Sequence, residues 1–465
     1  MVKGSFQVLN SKILPYFGLV MPVPTIRYFL LLNAVLVSLT SWSQFDWQWT
    51  PLPAMPEPVS NQGVTGWYDD DGAFALSFGG IDTTKLFSGI HLRSYRYDVP
   101  SGTWSALPDL PDTLGKIASA ASTVGDTAYI FGGYHVFDGP PFELSSDRVH
   151  RLDIQSGTFL PDGAPIPTPI DDQVQAVWRD SLIFLITGWS DVGNVPDVQI
   201  YDPIHDSWQI GTSVPGNIVY EAFGASGVII GDTIYYNGGA FEPNFFATGR
   251  LRIGVIDPTD PTQISWSNNG FNPGDFGYRM AALTVDDVAF WFGGSGNTYN
   301  YDGIAYDGSG GVEPLARILS YNPMQDTWNE GLGQDYAVMD LRGAAQVGPS
   351  SFIICGGMSS GQEVSDRTFQ LDYLGPVSVP ERPRQGFTLL QQPVQLSTGL
   401  VIQNQMPEPL SMGIFDLNGR TITTFLLGLG RQTIDISGLG IASGNYLLSR
   451  LDHPMVSSQQ LIVVD

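Results

Sequence analysis

AASTVGDTAYIFGG, residues 120–133, places two short runs on either side of a Gly-Asp pair and stops at two glycines. A polar dipeptide with glycine between such runs is a hairpin-turn signal. The second run and its glycine pair recur as ALSFGG (75–80), IYYNGG (234–239), AFWFGG (289–294) and FIICGG (352–357). A degenerate copy, IFLITGW, ends at Gly188-Trp189. The first glycines fall at 79, 132, 188, 238, 293 and 356, a spacing of 50–63 residues. Tight polar turns precede most copies, as at Arg179-Asp180, Gly231-Asp232 and Asp286-Asp287. A repeat of this length is one supersecondary unit that buries its faces against neighbouring copies.

Each copy has a second half. A loop of variable length follows the glycines, then a strand with an aromatic or apolar residue, then a tryptophan seven positions on. The instances are Tyr97…Trp104, Tyr201…Trp208 and Tyr321…Trp328, with Leu152…Phe159 as a variant and Ile256…Trp266 stretched by the insertion DPTDPTQ. Every unit is therefore expected to be four short antiparallel strands. The pattern resembles kelch repeats over residues 44 to about 376. That resemblance implies an all-β fold, a six-bladed kelch β-propeller with one blade per copy. Glycines suit it by letting second strands approach their neighbours and take positive φ. The tryptophan supplies an apolar plate between blades.

The sixth copy lacks a fourth-strand tryptophan: after Gly356-Gly357 the chain reads RTFQLDYLGPVSVPERP. The N-terminal stretch FDWQWTPLPAMPEP (45–58) supplies one, because Trp49-Thr-Pro-Leu-Pro-Ala-Met-Pro overlays Trp104-Ser-Ala-Leu-Pro-Asp-Leu-Pro. Residues 45–50 are expected to be the fourth strand of the sixth blade, with Trp49 in the repeat's tryptophan position. Closure of this kind hides sheet edges.

The formal charge of −25, from 21 basic and 46 acidic residues, argues against nucleic acid and anionic lipid as partners. Charged residues are only 14% of the chain, with 54 glycines and 33 prolines, which suits many short strands joined by turns. The single cysteine, Cys355, excludes an intrachain disulfide and reads as a buried structural thiol. From Met21, the segment MPVPTIRYFLLLNAVLVSLTSWSQ has the basic flank, apolar run and small-residue cleavage site of a signal peptide ending at Ser43. Residues 1–20 read as an upstream extension, and no membrane insertion is expected after signal cleavage.

Beyond a Pro-rich linker at 377–386, residues 387–465 are again β-rich. SMGIFDLNGRTITTF carries Asn418-Gly419 between alternating runs, a hairpin signal. With Gln392-Pro393-Val394, Phe415-Asp416-Leu417-Asn418-Gly419-Arg420, Ile434-Asp435-Ile436-Ser437 and Ser443-Gly444-Asn445-Tyr446, the segment resembles a type IX secretion sorting domain, type A. That implies a small Ig-like β-sandwich, the type IX secretion machinery as a partner, and a secreted or outer-surface location on a Gram-negative bacterium. The last strand ends Gln459-Gln460-Leu-Ile-Val-Val-Asp, where the family usually has lysines. An adhesive or spacer sandwich is the alternative.

The five histidines, His91, His135, His150, His205 and His453, show no metal-ligand spacing. His91 and His135 read as solvated loop residues. Asp69-Asp70-Asp71-Gly72 resembles a calcium loop but aligns with a hairpin turn. No nucleophile elbow or phosphate-cradling loop is present, and no metal or cofactor is expected. Strand parity puts short loops on one face and long ones on the other: 134–147, 240–249, 267–278 and 295–314. Long irregular loops on a rigid scaffold carry function. The candidate ligand-binding residues are Phe137, Trp189, Phe245, Phe246, Tyr299, Tyr301 and Tyr306, with Arg279 and Arg342. The alternative for the aromatics is packing within their own loops. The expected function is a binding module for a glycan or protein. The other reading, a carbohydrate-active kelch enzyme of the sialic acid epimerase or mutarotase kind, rests on Lys116, Glu221, Arg279 and Arg342 at matching starts of first strands. The copper oxidases of the kelch group need two His, two Tyr and a Tyr-linked Cys; with Cys355 inside a strand-like run and five scattered histidines, this chain fits that pattern poorly.

Overall fold

The computed structural model describes residues 45–376, apart from 192 and 333–335, and 387–464, apart from short gaps at 391–392, 398, 405, 407–408, 417–418, 438, 440 and 452–457. The expected signal peptide, upstream extension and linker, with Asn418 and His453, lie outside these residues. Ser43–Ser378 form one compact unit and the described C-terminal residues belong to another.

Among the described residues of the first unit, six sheets each contain four antiparallel strands in the order a to d. Sheet I runs Gly63–Tyr68, Ala73–Ile81, Ile90–Asp98 and Thr103–Leu107. The a strands of sheets II to V are Ala120–Val124, Val174–Trp178, Phe223–Ile230 and Ala281–Val285. Sheet VI joins Ala345–Gln346, Ser351–Cys355 and Thr368–Pro376 to Phe45–Leu52 from the other end of the unit. Trp49 stands opposite Leu371, as Trp104 stands opposite Tyr97.

The core lies between sheets rather than within one. A buried apolar cluster fills each junction: I–II around Phe78 and Ile130, II–III around Phe131 and Tyr201, III–IV around Phe184 and Tyr236. The series continues with IV–V around Trp291 and Leu319, V–VI around Phe290 and Phe352, and VI–I around Tyr97 and Ile353. The sixth junction returns to the first sheet. At V–VI the deeper aromatic is Trp47, only 4% exposed, whereas Trp49 is half-buried. Trp49 has the repeat's register, and Trp47, two residues earlier on the same uninterrupted ladder, faces the same cluster. The repeat tryptophans also tie sheets together by their indole N–H groups. Trp104 donates to Pro53 O, Trp208 to Ala164 O and Trp266 to Thr212 O, each past the outer strand of the preceding sheet.

The glycine pairs make the inner junctions. The first glycine is left-handed, and a Cβ on Gly132 would sit 2.0 Å from Ile170 O of the next sheet. The second donates its N–H there: Gly133 to Ile170 O, Gly239 to Gly277 O, Gly294 to Val338 O, and Gly357 to Val59 O of sheet I. In the degenerate copy the pair is Thr187-Gly188, one residue earlier than the glycine count suggests. Thr187 takes φ 46°, and its hydroxyl accepts the N–H of Ala222 in place of a main-chain link.

The six a strands line a central channel of about 450 Å³. The Asp69 turn is a plain Asx turn, its carboxyl accepting from the N–H groups of Asp71 and Gly72. Cys355 is buried, and that burial pushes its thiol up to about 12.

The C-terminal unit has two packed sheets. One holds Phe387–Leu389, Leu400–Asn404 and Gly430–Ile434; the other holds Val394–Gln395, Leu410–Phe415, Thr421–Leu427, Gly444–Arg450 and Ser458–Val464. Phe387, Leu400 and Ile402 from one meet Met412, Ile414, Leu448 and Leu461 from the other. The hairpin after Phe415 closes by Asp416 N–H to Arg420 O, with Gly419 left-handed.

Candidate functional site

The channel closes on the long-loop face. Just before or within each a strand, one residue is left-handed: Asn61, Ala118, Asp172, Gly224, Arg279 and Asp340, with φ from 49° to 65°. They form a closed circuit of main-chain hydrogen bonds. Ala118 N–H reaches Asn61 O, Asp172 reaches Ala118 O, Gly224 reaches Asp172 O and Arg279 reaches Gly224 O. Leu341 N–H then reaches Arg279 O, and Asn61 N–H reaches Asp340 O. The side chains at these positions converge over the channel mouth.

The charged ones close it. Arg279 gives a two-pronged contact to Asp172 (Nη2–Oδ2 2.6 Å, Nε–Oδ1 3.1 Å) and bonds Asp340 at 2.9 Å. Arg342 Nη1 lies 3.3 Å from Asp172, and its Nη2 donates to Gln173 O. Ser60 Oγ donates to Asp340 Oδ2. Arg279 is 1% exposed and faces the rings of Tyr278 and Tyr299 at 5.1 and 5.5 Å. Burial works against its charge, but Asp172, Tyr278 and Asp340 outweigh it and hold the guanidinium firmly protonated. Such a buried network fixes geometry more surely than it adds stability.

Outside this plug lies a second cavity of about 160 Å³, lined by Tyr134, Glu143, Asp171, Asp172, Trp189, Phe223, Phe245, Arg279 and Tyr306. It shares no lining residue with the channel. Its floor is polar. Burial, and then the neighbouring Asp172, pushes the Asp171 carboxyl well above the usual range; burial also pushes Glu143 up. Its walls are aromatic: Trp189 lies 5.3 Å from Phe223 and 5.6 Å from Phe245, and Tyr306 lies 5.1 Å from Phe245. Perturbed carboxyls in an apolar-walled cavity make it the candidate site.

Of the residues expected from sequence, Trp189, Phe245, Tyr306 and Arg279 meet in this cavity. Arg342 lies behind it, at the channel's closed end. Tyr299 is fully buried beneath, edge-on to Tyr278, and Tyr301 packs toward Ile81, Ile117 and Tyr134. Neither lines the cavity, and both pack against segments outside their own loop. Phe246 is exposed beside Phe241, and Phe137 sits in the turn between Tyr134–Val136 and Glu143–Ser145; neither lines the cavity.

Lys116, Glu221, Arg279 and Arg342 do not share one structural position. Only Arg279 is in the left-handed circuit. Lys116 is buried beside Asp112 (3.1 Å) and His150 (2.8 Å). Glu221 is half-buried, its carboxyl pushed up by burial and Glu242. The loop histidines are not solvated: His91 is 8% exposed and His135 bonds Gly115 O. Burial, with Arg93 adding to it, pulls His91 down to about 4. Among the described residues no group of three or more His, Cys, Asp or Glu could hold a metal ion. Sequence reading missed Asp171, Glu143, Tyr134 and Phe223. The available signal was Asp171, whose counterparts in the other copies, Ser60, Ile117, Phe223, Tyr278 and Met339, are all uncharged.

Six sheets packed face to face around a channel, with glycine pairs at their inner junctions, define the fold: a β-propeller of kelch-like architecture. No family model matches the chain. The Kelch-like protein terF of Aspergillus terreus is 29% identical to it over 192 residues, 36% of this chain. The chain thus spans about 40% of the length of the curated relative it matches. The solved structure of YjhT superposes with a TM-score of 0.54 at 15% identity, covering 68% of this chain and 95% of that one.

Proposed function

We propose that this protein is a six-bladed kelch propeller that acts as a binding module, taking a group of a glycan or protein ligand through its long-loop face. The observation that carries the reading is the Trp189 cavity. Trp189, Phe223, Phe245 and Tyr306 wall it, Asp171 and Glu143 give it polar contacts, and the circuit beneath holds it rigid. Its volume of about 160 Å³ is below the roughly 300–1,000 Å³ of sites for drug-sized ligands, so it takes one ring or one side-chain head group. The test is a glycan and surface-protein array probed with the full chain. A hit lost in both Trp189→Ala and Phe245→Ala supports the reading. Hits indifferent to both, or none, count against it.

The second reading, a carbohydrate-active enzyme, is favoured by the two raised carboxyls sharing one cavity, which could pass protons. An acidic sugar fits it less well. Both arginines near the cavity already bond Asp172, so neither is free to receive a sugar carboxylate. Anomer exchange followed by NMR at a buffer rate would remove this reading for the sugars tried.

For residues 387–465 we propose the type A sorting role, in an Ig-like sandwich, and with it a secreted or surface location. Two packed sheets and the Asp416–Arg420 hairpin support it. A carrier fused to these residues should leave cells only when the type IX machinery is intact.

A further inference from the structure

The cavity's walls are not coplanar. Trp189 meets Phe223 at 66° and Phe245 at 63°, and Phe223 meets Phe245 at 84°. The three rings pack edge to face on one another at 5.3–5.7 Å, so they present one inclined aromatic wall to the cavity and not a flat sugar platform. An aromatic wall beside a carboxyl-bearing floor favours a cation with alkyl surface.

The floor agrees. The carboxyls of Glu143, Asp171 and Asp172 reach the cavity, with Asp340 behind them, and the facing cations are Arg279 and Arg342. Those two arginines are spent on Asp172 and Asp340. Asp171 is 3% exposed, and among the described residues its carboxyl accepts one hydrogen bond, from Ser145 Oγ at 2.6 Å. Asp191, on the next loop, binds the Ser145 N–H and adds no positive charge. The phenols of Tyr134 and Tyr306 are neutral. Asp171 and Glu143 therefore have no cation of their own.

We propose that this cavity binds an organic ammonium group, its alkyl surface against Trp189, Phe223, Phe245 and Tyr306 and its charge facing Asp171 and Glu143. The inference rests on the reading of the cavity as the ligand site. The same chemistry can come from a free quaternary amine or from the head of an alkylated lysine. Because Asp171 and Glu143 hold protons more tightly than usual in the empty site, the arriving cation displaces protons, and binding tightens as pH rises.

The test is titration calorimetry of the full chain with tetramethylammonium, a trimethyl-lysine peptide, its unmethylated counterpart, and glucose as the neutral control. Each is run in two buffers of different ionisation enthalpy. The expected result is binding of both methylated probes with proton release, at least tenfold weaker in Trp189→Ala and in Asp171→Asn. Trp189→Phe, which keeps a ring, should retain most of it. Tighter binding of the peptide points to a lysine source, and tighter binding of tetramethylammonium to a free amine. If the array ligand is lost in Trp189→Ala but neither methylated probe binds, the ammonium assignment fails and the ligand site stands. If the probes bind equally well to all variants, or without proton release, the assignment also fails.

Discussion

Replacing Trp47 by alanine should cost the propeller more than any other change in its closing strand. The ring is 4% exposed. Its centroid is 5.1 Å from Phe290, 5.0 Å from Phe292 and 5.0 Å from Tyr373, the first two edge-on. Truncating a buried tryptophan costs about 3–5 kcal/mol. Its Nε1 finds no partner among the described residues, so the mutation also removes an unsatisfied donor worth roughly 1–3 kcal/mol. The net is about 2 kcal/mol. The unit Ser43–Ser378 unfolds with an entropy of about 0.7 kcal/mol/K, at roughly 2.1 cal/mol/K per residue. Tm should fall by about 3 °C. Trp49→Ala, at a half-buried ring 5.9 Å from Phe369, should fall by about half of that. Trp47→Phe keeps a ring and discards the orphan N–H, and should stay within about 1 °C. Calorimetry on the full chain measures all three. A Tm unchanged in Trp47→Ala, or a larger drop in Trp49→Ala, would refute the assignment of Trp47 as the residue that locks the closing strand.

Thr187→Val should destabilise by about 1–3 kcal/mol in chemical denaturation, because it leaves both the Ala222 N–H and the Val195 carbonyl without the hydroxyl they bond. His91 gives a pH signature. Its folded value of about 4 lies below the ordinary 6.5, so the unfolded chain binds more protons between the two. Stability should rise with pH across that window and be lost as pH falls through it, by on the order of 3 kcal/mol. His91→Gln should flatten that part of the Tm–pH curve, and an unchanged slope would discount the buried histidine.

The scaffold was legible because its demands repeat. A glycine pair is needed wherever the next sheet's carbonyl stands where a Cβ would go, and an indole wherever an outer strand meets its neighbour. The closing strand was legible through the same periodicity, although its energetic centre was not. Trp47 and Trp49 share one face of the strand, and which is the more buried depends on the aromatics brought against them from sheet V, Phe290 and Phe292, far along the chain. The site was half legible. Trp189, Phe245 and Tyr306 stood out as aromatics in long loops, but whether such a ring lines a cavity or packs beneath it depends on loop paths, as Tyr299 and Tyr301 illustrate. Glu143 was hidden by a chain with 46 acidic residues, where one more loop carboxylate carries no signal. His91 was misread because it lies in the third strand of sheet I, and His135 because its ring bonds Gly115 O of a neighbouring segment.

The left-handed circuit spends only main-chain atoms on holding the sheets together. Asn, Ala, Asp, Gly, Arg and Asp occupy it in turn, each delivering its side chain to the same mouth. It therefore behaves as a hoop with six sockets. The hoop resists any one sheet leaning outward, because that sheet is bonded to both neighbours, while the sockets accept different chemistry without asking the frame to move. Ala118 and Gly224 are the blank ones. A side chain placed at Gly224 would meet Tyr278 at once, and Ala118 is fully buried among Ile81, Ile117 and Tyr134. The hoop's variable chemistry is therefore carried by the other four spokes, Asn61, Asp172, Arg279 and Asp340.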